Sequence, residues 1–366
     1  MVRVQRRKTP KMASNIQTAD AVPTTVVGEV QIEQDNAINC YATWLPPTAI
    51  VSDGAYGLGL FPNDPISKDE LLDWYAPHVE AWSRYALPLT TLWFWCSEIG
   101  WATVHPLLEK YGWQYESFNV WNKGIGHIAG NVNGKTIRRF PVVTEACVLY
   151  TRKVQLPTID EQNLSLKEWL RFEWQRAGIP LTKANEACGV VDAATRKYLT
   201  QCHLWYFPPT EKMAQLVDYA NKHGKPTNRP YFSINGKNPV TIEEWQRMRA
   251  KWNHTHAITN VWTEPQVRGE KRIKAEGKHL HANQKPLRLI EQIITASTDA
   301  DDVIWEPFGG LCPGAIVSLK TGRRCYSAEI NPHFYKAAKS RLEEEYSKKQ
   351  LCLFHEISCA ADLRFS

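Results

Sequence analysis

Residues 302–329 of this chain follow the order strand, glycine-bearing turn, helix, strand and acid. The predicted elements are a strand at 302–305, a turn at Gly309 and Gly310, a helix at 314–320 and a strand at 324–328 before Glu329. Two parallel strands joined by a helix form a βαβ unit, which belongs to sheets that are largely parallel and covered by helices. The pattern therefore predicts an α/β fold.

The turn and the acid of this unit suit a nucleotide-type cofactor. Gly309 and Gly310 allow the chain to pass close to a ligand, and Glu329 stands where nucleotide folds hold a ribose diol. Each hydrogen bond from a hydroxyl to that carboxylate would contribute about 1.5–3 kcal/mol. A strand that ends in a solvated glutamate is the simpler alternative, and the unit alone would suit a dehydrogenase as well as a transferase.

A second candidate site follows an apolar strand predicted at residues 49–52. Asp53, Gly54 and Tyr56 come directly after this strand, and ligands of open α/β sheets bind beyond the carboxyl ends of strands. We therefore expect these residues to face the same cleft as the cofactor unit. Alternation and composition also predict strands at 90–95, 115–121 and 146–150 and a helix at 69–84.

Residues 158–225 have the pattern of a helical insert. Ser165 and Glu168 form a capping box before the first helix. Three further helices are predicted: one at 180–188 that ends at Gly189, one capped by Asp192 that runs through Leu199, and one from Thr210 to Gly224.

The helix predicted at 180–188 and the helix predicted from Asp192 through Leu199 resemble a helix-turn-helix. Arg196, Lys197 and Thr200 lie on the outer face of the second of these two helices. A small bundle that only packs is an equal alternative. Arg196 and Lys197 are candidate DNA contacts, although either could touch only phosphate or remain a solvated charge.

The bulk composition sets broad limits on function. The formal charge of +6 permits a polyanionic partner without requiring one. Nine cysteines without a C-x-x-C pair fit neither a disulfide framework nor a zinc site, so we expect reduced thiols, no metal and a cytoplasmic protein. No apolar run has the length of a membrane span, and the first residues lack the apolar core of a secretory signal.

The sequence divides into six parts. The predicted parts are a disordered basic tail at 1–28, a catalytic part at 29–157, the helical insert at 158–225, an extended basic connection at 226–280, a cofactor-binding part at 281–347 and a C-terminal tail at 348–366. A weak phosphate-binding arm is the alternative for the basic tail.

Three ordered motifs resemble those of a known family. Residues 281–287, 306–310 and 326–331 are similar to the cofactor-binding motifs of the amino-group DNA methyltransferases that use S-adenosylmethionine, and residues 53–56 stand where that family has Asp/Ser-Pro-Pro-Tyr. The catalytic motif precedes the cofactor motifs, which is similar to the β class, a circular permutation of the common order. The resemblance covers roughly 40–153 and 258–345.

This resemblance implies a Rossmann-like methyltransferase fold with a mixed, mostly parallel sheet in permuted motif order, plus the helix-turn-helix-like insert for target recognition. It implies S-adenosyl-L-methionine as cofactor, double-stranded DNA as partner, and a monomer or homodimer. The cofactor residues implied are Asn283, Gln284, Lys285, Glu306, Phe308, Gly310, Glu329 and Asn331. Phe308 would lie against the cofactor, Glu329 would hold its ribose, and residues 283–285 would lie near its methionyl end.

The resemblance also implies the chemistry of the upstream motif. An exocyclic amino nitrogen is a poor nucleophile until acceptors hold both of its hydrogens; Asp53 would supply one acceptor and the Gly54 carbonyl the other. Tyr56 would stack on the flipped base. The chain departs from the family where Gly54-Ala55 replaces two prolines, and where Glu306 and Cys312-Pro313 replace Asp and Gly-Thr.

Aspartate at the first catalytic position favours N6 of adenine, with N4 of cytosine as the alternative. We expect a site-specific enzyme from a restriction-modification system or a phage, with a cognate endonuclease as a possible second partner. A catalytically inactive DNA-binding homologue and a methyltransferase that acts on RNA or protein are the competing classes.

Overall fold

The computed structural model describes residues 22–59, 64–124, 136–253, 255–269, 272–275, 278–280 and 284–362, with no side-chain description for the strands at 274–275 and 278–279 or for 352–362. Within those ranges, the helices are all too short or too polar to cross a membrane. Asn283 and residues 1–21 lie outside the described residues, so the expectations for them stay predictions.

The described residues form thirteen strands and eleven helices. The strands are β1 Thr24–Val27, β2 Val30–Glu33, β3 Ala49–Ser52, β4 Thr91–Cys96, β5 Trp113–Asn122, β6 Thr144–Arg152, β7 Gln155–Pro157, β8 Asn163–Ser165, β9 Val261–Trp262, β10 Lys274–Ala275, β11 Lys278–His279, β12 Val303–Glu306 and β13 Arg324–Ala328. The helices are α1 Ala37–Cys40, α2 Lys68–Tyr85, α3 Glu98–Lys110, α4 Leu166–Arg176, α5 Lys183–Ala187, α6 Ala194–Tyr198, α7 Thr210–His223, α8 Ile242–Gln246, α9 Leu287–Ser297, α10 Pro313–Thr321 and α11 Pro332–Asp362.

Nine strands form one sheet in the order β1-β2-β13-β12-β3-β4-β6-β5-β9. The five strands from β2 to β4 in this order are mutually parallel, whereas β6 runs antiparallel to both of its neighbours. The last two strands in the chain therefore lie in the middle of the sheet, between strands from its beginning. This arrangement confirms the predicted mixed, mostly parallel sheet in permuted order.

Alternate residues of the central strands face opposite layers of helices. Ile50 and Trp305 pack with α2 and α3, whereas Val51 and Ile304 pack with α9, α10 and α11. This alternation follows from the two-residue period of a strand that is buried on both faces. Several of the tryptophans belong to these layers; Trp305, for example, stacks on Tyr41 with ring centroids 5.1 Å apart.

The order of strands changes direction between β12 and β3, and this point fixes where a ligand can bind. From β12 the chain crosses through α10 to β13 on one side, whereas from β3 it crosses through α2 to β4 on the other. Such a switch point opens a crevice beyond the carboxyl ends of the strands. Asp53 after β3, Glu306 in β12 and Glu329 after β13 lie at this edge.

The insert has its own hydrophobic core, which includes Trp169, Trp174 and Leu216. The predicted capping box of Ser165 and Glu168 is confirmed, as is the end of α7 at Gly224. The predicted cap at Asp192 is wrong. Residue 193 precedes α6 without a side-chain cap, and Asp192 instead lies 3.9 Å from Arg196, one helical turn away.

Three predicted boundaries also differ from the structure. The tail predicted at 1–28 includes β1, which pairs with β2 as an edge strand, and the tail predicted from 348 continues α11. The connection predicted at 226–280 is extended only in part, because Phe232 and Trp245 are buried in the core of the insert. These aromatic side chains lie in a segment without clear periodicity, so the sequence did not assign them to a core.

Candidate functional site

The residues that follow β3 form a hydrogen-bonded cluster with a lysine from the other end of the chain. The hydroxyl of Tyr56 donates to Oδ1 of Asp53 at 2.8 Å and also contacts Glu145. Nζ of Lys285 lies 2.8 Å from the same Oδ1 of Asp53, 2.7 Å from Oε1 of Glu145 and 3.1 Å from the Tyr56 hydroxyl. The three hydrogens of the ammonium group thus each have an acceptor.

A second lysine completes the cluster. Nζ of Lys123 lies 2.6 Å from Oε2 of Glu145, so one buried carboxylate bridges two ammonium groups. Burial raises the pKa of Glu145, but the charges of Lys285 and Lys123 outweigh it and lower that pKa to about 2. Burial likewise lowers the pKa of Lys285, but Asp53 and Glu145 hold it above its usual value. The cluster therefore carries two positive and two negative charges.

Gly54 and Ala55, which stand where the resembled family has two prolines, are held by aromatic side chains. A Cβ atom on Gly54 would lie 2.7 Å from the ring of Phe308 and 2.9 Å from the hydroxyl of Tyr75. The carbonyl oxygen of Ala55 accepts a hydrogen bond from the same Tyr75 hydroxyl at 3.0 Å, and Ala55 is completely buried. Packing fixes this loop, so it does not depend on prolines.

Replacing Gly54 with alanine is expected to lower the melting temperature by a few degrees, because overpacking costs about 1–3 kcal/mol, and to slow about tenfold the methyl transfer that the resemblance implies. The double variant Gly54→Ala with Phe308→Leu should recover part of the melting temperature, since the shorter side chain vacates the clash. Ala102→Ser, at an exposed position of α3, is the matched control and should leave the melting temperature unchanged. A fully stable, fully active Gly54→Ala enzyme would show that the loop is not fixed by this contact.

The glycine turn after β12 is joined to the end of β13 by backbone hydrogen bonds. The Gly309 amide donates to the Ala328 carbonyl at 2.8 Å, and a Cβ atom on Gly309 would meet that oxygen and Ser327. The Gly310 amide donates to Oε2 of Glu329 at 2.6 Å. The turn therefore lies directly against the acidic end of the neighbouring strand, as the βαβ pattern predicts.

Glu306 fixes the start of α10 through hydrogen bonds to its carboxylate. Its carboxylate accepts hydrogen bonds from the amides of Gly314 and Ala315 and from Ser327 Oγ at 2.9 Å. Burial raises the pKa of this carboxyl to about 7, against the effect of these donors. Cys312, where the family has glycine, takes a left-handed conformation with φ of +47°. Glu306 therefore orders the turn, and its carboxylate is directed to α10.

Glu329 fits the role of a ribose-binding acid. The residue is 8% exposed, and its carboxylate accepts amide hydrogens from Gly310 and from Asn331, the latter at 2.7 Å. Burial raises the pKa of Glu329 to about 7. A buried carboxylate that two amides orient and that solvation stabilises poorly is suited to two further donors, such as ribose hydroxyls. The residues present thus fit a nucleoside-containing cofactor.

Two other predicted cofactor residues have structural partners. Oδ1 of Asn331 accepts amide hydrogens from residues 333 and 334 at the start of α11, so this side chain acts as a helix cap. Oε1 of Gln284 accepts from the amide of Ile273 at 3.1 Å. Lys285, predicted near the methionyl end of the cofactor, contacts Asp53 and Glu145 in the structure.

The candidate DNA-binding residues lie apart from the cluster, on the insert. Arg196 and Lys197 are exposed on the five-residue helix α6, and Lys197 Nζ lies 5.6 Å from the ring centroid of Tyr206. Thr200 follows the end of α6 and its hydroxyl lies 3.0 Å from Sγ of Cys202. The two basic side chains share one surface, whereas Thr200 is half-buried beside it.

The sequence interpretation missed Glu145 and Lys123. Glu145 directly precedes the apolar run 146–150 of the buried strand β6, and a glutamate in that setting is rarely buried without a partner. That pattern was the signal that could have identified it. Lys123 carried no comparable signal, because a lysine after a strand is ordinary.

Comparison with known proteins gives the family to which these features correspond. The N6/N4 family described as DNA methylase matches residues 48–340. This range contains both candidate sites and the whole insert.

Curated relatives match over shorter segments. The chain is 32% identical over 102 residues to the DNA adenine methyltransferase YhdJ of Escherichia coli strain K12, a match that covers 27% of this chain and 33% of that protein. It is 37% identical over 93 residues to the type II methyltransferase M2.DpnII of Streptococcus pneumoniae, covering 25% and 33%. The chain thus spans about a third of the length of these relatives.

Two solved structures align over most of the chain. The complex of M1.HpyAVI with SAM has a TM-score of 0.48 at 15% identity, covering 86% of this chain and 98% of that one. The cytosine-N4-specific PvuII DNA methyltransferase has a TM-score of 0.46 at 10% identity, covering 87% and 92%.

Proposed function

The chain belongs to the N6/N4 family of DNA methylases, and we propose that it transfers a methyl group from S-adenosyl-L-methionine to an exocyclic amino group of a DNA base. Family membership confirms the resemblance carried by the three ordered motifs. One observation supports the activity most directly: the loop with Asp53 and Tyr56 packs through Gly54 against Phe308 of the glycine turn. The proposed base site and the proposed cofactor site are therefore neighbours.

We assign cofactor binding to the turn and to the acid that follows β13. Glu329 would accept the ribose hydroxyls, the Gly310 amide would hold its carboxylate in place, and Phe308 would lie against the cofactor. S-adenosyl-L-methionine supplies a methyl group that its positively charged sulfur activates. Lys285 contacts Asp53 of the catalytic loop, and we propose that Lys285 and Gln284 lie near the methionyl end of the cofactor.

The catalytic role falls to Asp53 and its neighbours. An amino nitrogen attached to an aromatic ring delocalises its lone pair, so it attacks only when acceptors hold both hydrogens. Asp53 would accept one hydrogen, and the Gly54 carbonyl would accept the other. Tyr56 would stack on a base that has been flipped from the duplex. Flipping costs a few kcal/mol of lost pairing and stacking, and stacking on an aromatic side chain offsets about 1–3 kcal/mol of this.

We propose N6 of adenine as the target, because aspartate rather than serine stands at the first catalytic position. N4 of cytosine is the second candidate. Several curated relatives are type II methyltransferases, so we also propose a restriction endonuclease that acts on the same DNA site as a partner.

Sequencing of DNA from cells that express the protein tests this proposal directly. A plasmid carried with the gene in a host that lacks DNA methylation should acquire a modified base at one short recurring sequence. Sequencing that detects modified bases would identify both the base and the sequence. The matched control is the same plasmid with Asp53→Ala, which should stay unmodified. Unmodified DNA from the unaltered gene, with folded protein present, would refute the proposed activity.

The insert is proposed to contact DNA through Arg196 and Lys197. If both side chains neutralise phosphates, the Arg196→Ala/Lys197→Ala variant should weaken DNA binding about tenfold near physiological salt. The slope of log affinity against log salt should fall by about 2, because each phosphate contact contributes about 0.9. Lys222→Ala, at an exposed lysine near the end of α7, is the control. An unchanged salt slope would remove these residues from the DNA interface.

A further inference from the structure

Glu145 is buried in the active-site cluster, yet no motif includes it. Its side chain is 6% exposed and lies at the start of β6, beside Trp121 of β5. Because β6 runs antiparallel to β4, the start of β6 lies at the sheet edge where the parallel strands end. Glu145 thus reaches the same edge as Asp53 from the opposite chain direction.

The contacts of Glu145 converge on the groups that the proposed mechanism uses. Its Oε1 atom lies 2.7 Å from Lys285 Nζ and contacts the hydroxyl of Tyr56, which shares its single hydrogen between this atom and Oδ1 of Asp53. Its Oε2 atom lies 2.6 Å from Lys123 Nζ. One carboxylate therefore fixes the two side chains that contact Oδ1 of Asp53.

We propose that Glu145 is a positioning residue for methyl transfer, because it holds Lys285 and Tyr56 on Oδ1 of Asp53 and thereby leaves Oδ2 directed to the amino group of the base. This inference rests on the proposed function. Among the described residues, the hydrogen bonds to the Asp53 carboxylate all reach Oδ1. Because Oδ1 is already fixed, the Asp53 carboxylate need not reorganise when the base binds to Oδ2.

Charge gives Glu145 a second reason to be present. The cluster of Asp53, Glu145, Lys123 and Lys285 is neutral, and the amino nitrogen gains positive charge as it is methylated. Without Glu145 the cluster would carry a net charge of +1 next to that nitrogen. Lys285 would also lose one of its two carboxylate partners and move more freely off Asp53.

The Glu145→Gln variant tests the inference, because glutamine keeps the size and removes the charge. With cofactor and DNA both saturating, the single-turnover rate should fall about ten- to a hundredfold. The dissociation constant for S-adenosyl-L-methionine should change by less than about threefold, since the side chain is assigned no cofactor contact. Flipping of the target base, followed by 2-aminopurine fluorescence, should persist. Glu116→Gln, at an exposed glutamate on β5, is the matched control and should retain the normal rate.

A double-mutant cycle separates positioning from a merely structural role. If Glu145 acts through Lys285, the Glu145→Gln/Lys285→Met variant should lose much less than the product of the two single losses. The double variant also removes one charge of each sign, so if Glu145→Gln folds poorly, the rate of the double variant is compared with that of Lys285→Met alone, and the two rates should be similar. Glu145→Asp, which keeps the charge, should fall between the unaltered enzyme and Glu145→Gln. Multiplicative losses, or an aspartate variant no faster than glutamine, would overturn the inference.

Asp53→Ala, measured in the same assay, distinguishes a failure of the positioning role of Glu145 from a failure of the proposed catalytic role of Asp53. If Asp53→Ala is inactive while Glu145→Gln has the normal rate, only the positioning role fails. If Asp53→Ala has the normal rate, the proposed catalytic assignment itself fails.

Discussion

Asp53→Ala is expected to lower the rate of the proposed methyl transfer by about a hundredfold or more, because it would remove the proposed contact to the reacting amino group in the transition state. Cofactor binding should survive, since Glu329 and the glycine turn belong to other strands. The fold should also survive, because Lys285 keeps Glu145 as a partner after Asp53 is removed. The measurement is a single-turnover rate together with a calorimetric dissociation constant for S-adenosyl-L-methionine.

Two further variants sharpen this experiment. Asp53→Asn keeps an acceptor oxygen but loses the charge, so its rate should fall less than that of Asp53→Ala. Asp73→Ala, at an exposed aspartate of α2, should leave both the rate and the dissociation constant unchanged. Turnover close to normal in Asp53→Ala would assign the catalytic acceptor to another residue.

The sequence was sufficient for most strands of the large sheet, although it did not predict β1 or β2. Buried strands have apolar runs that end in turn residues, and the strands predicted at 49–52, 90–95, 115–121 and 146–150 are confirmed as β3, β4, β5 and β6. The ends of parallel strands share one edge, so the sequence also placed Asp53 and Glu329 together. Motif order then gave the permutation.

The same reasoning could not find Glu145. The predicted site residues were polar residues that follow the carboxyl ends of strands. An antiparallel strand such as β6 instead brings its beginning to that edge of the sheet. The pairing of Cys96 with Ala146 fixes this orientation, and strand direction cannot be read from local composition. The contact between Lys285 and Asp53 joins residues 232 positions apart, so local sequence patterns could not predict it either.

The insert shows a different limit. Amphipathic period predicted α4 and α7 well, because each buries one stripe against a core. Helices α5 and α6 have five residues each, too few for periodicity to define their ends. Phe232 has a φ of +54° and is buried without regular secondary structure around it. Such a residue is positioned by tertiary contacts, which no local pattern encodes.

Glu329→Ala is expected to weaken binding of S-adenosyl-L-methionine by about a hundredfold or more, since two charge-assisted hydrogen bonds at about 1.5–3 kcal/mol each would be lost. Calorimetric titration measures the effect. The rate at saturating cofactor should fall far less than the affinity. Glu29→Ala, at an exposed glutamate before β2, is the matched control. An unchanged dissociation constant would show that another acid holds the ribose.

The raised pKa of Glu329 makes the same assignment testable by pH. In the proposed site the ribose hydroxyls would donate to the ionised carboxylate of Glu329, and burial raises the pKa of this carboxyl to about 7. Affinity should therefore be complete above pH 7 and fall about tenfold per pH unit below it. The probe is 5′-methylthioadenosine, whose ribose is the same and which lacks the titrating amino-acid group of the full cofactor. Glu306 has a similarly raised pKa, so Glu329→Gln is decisive: its affinity should be low and independent of pH, whereas a retained pH dependence would point to Glu306.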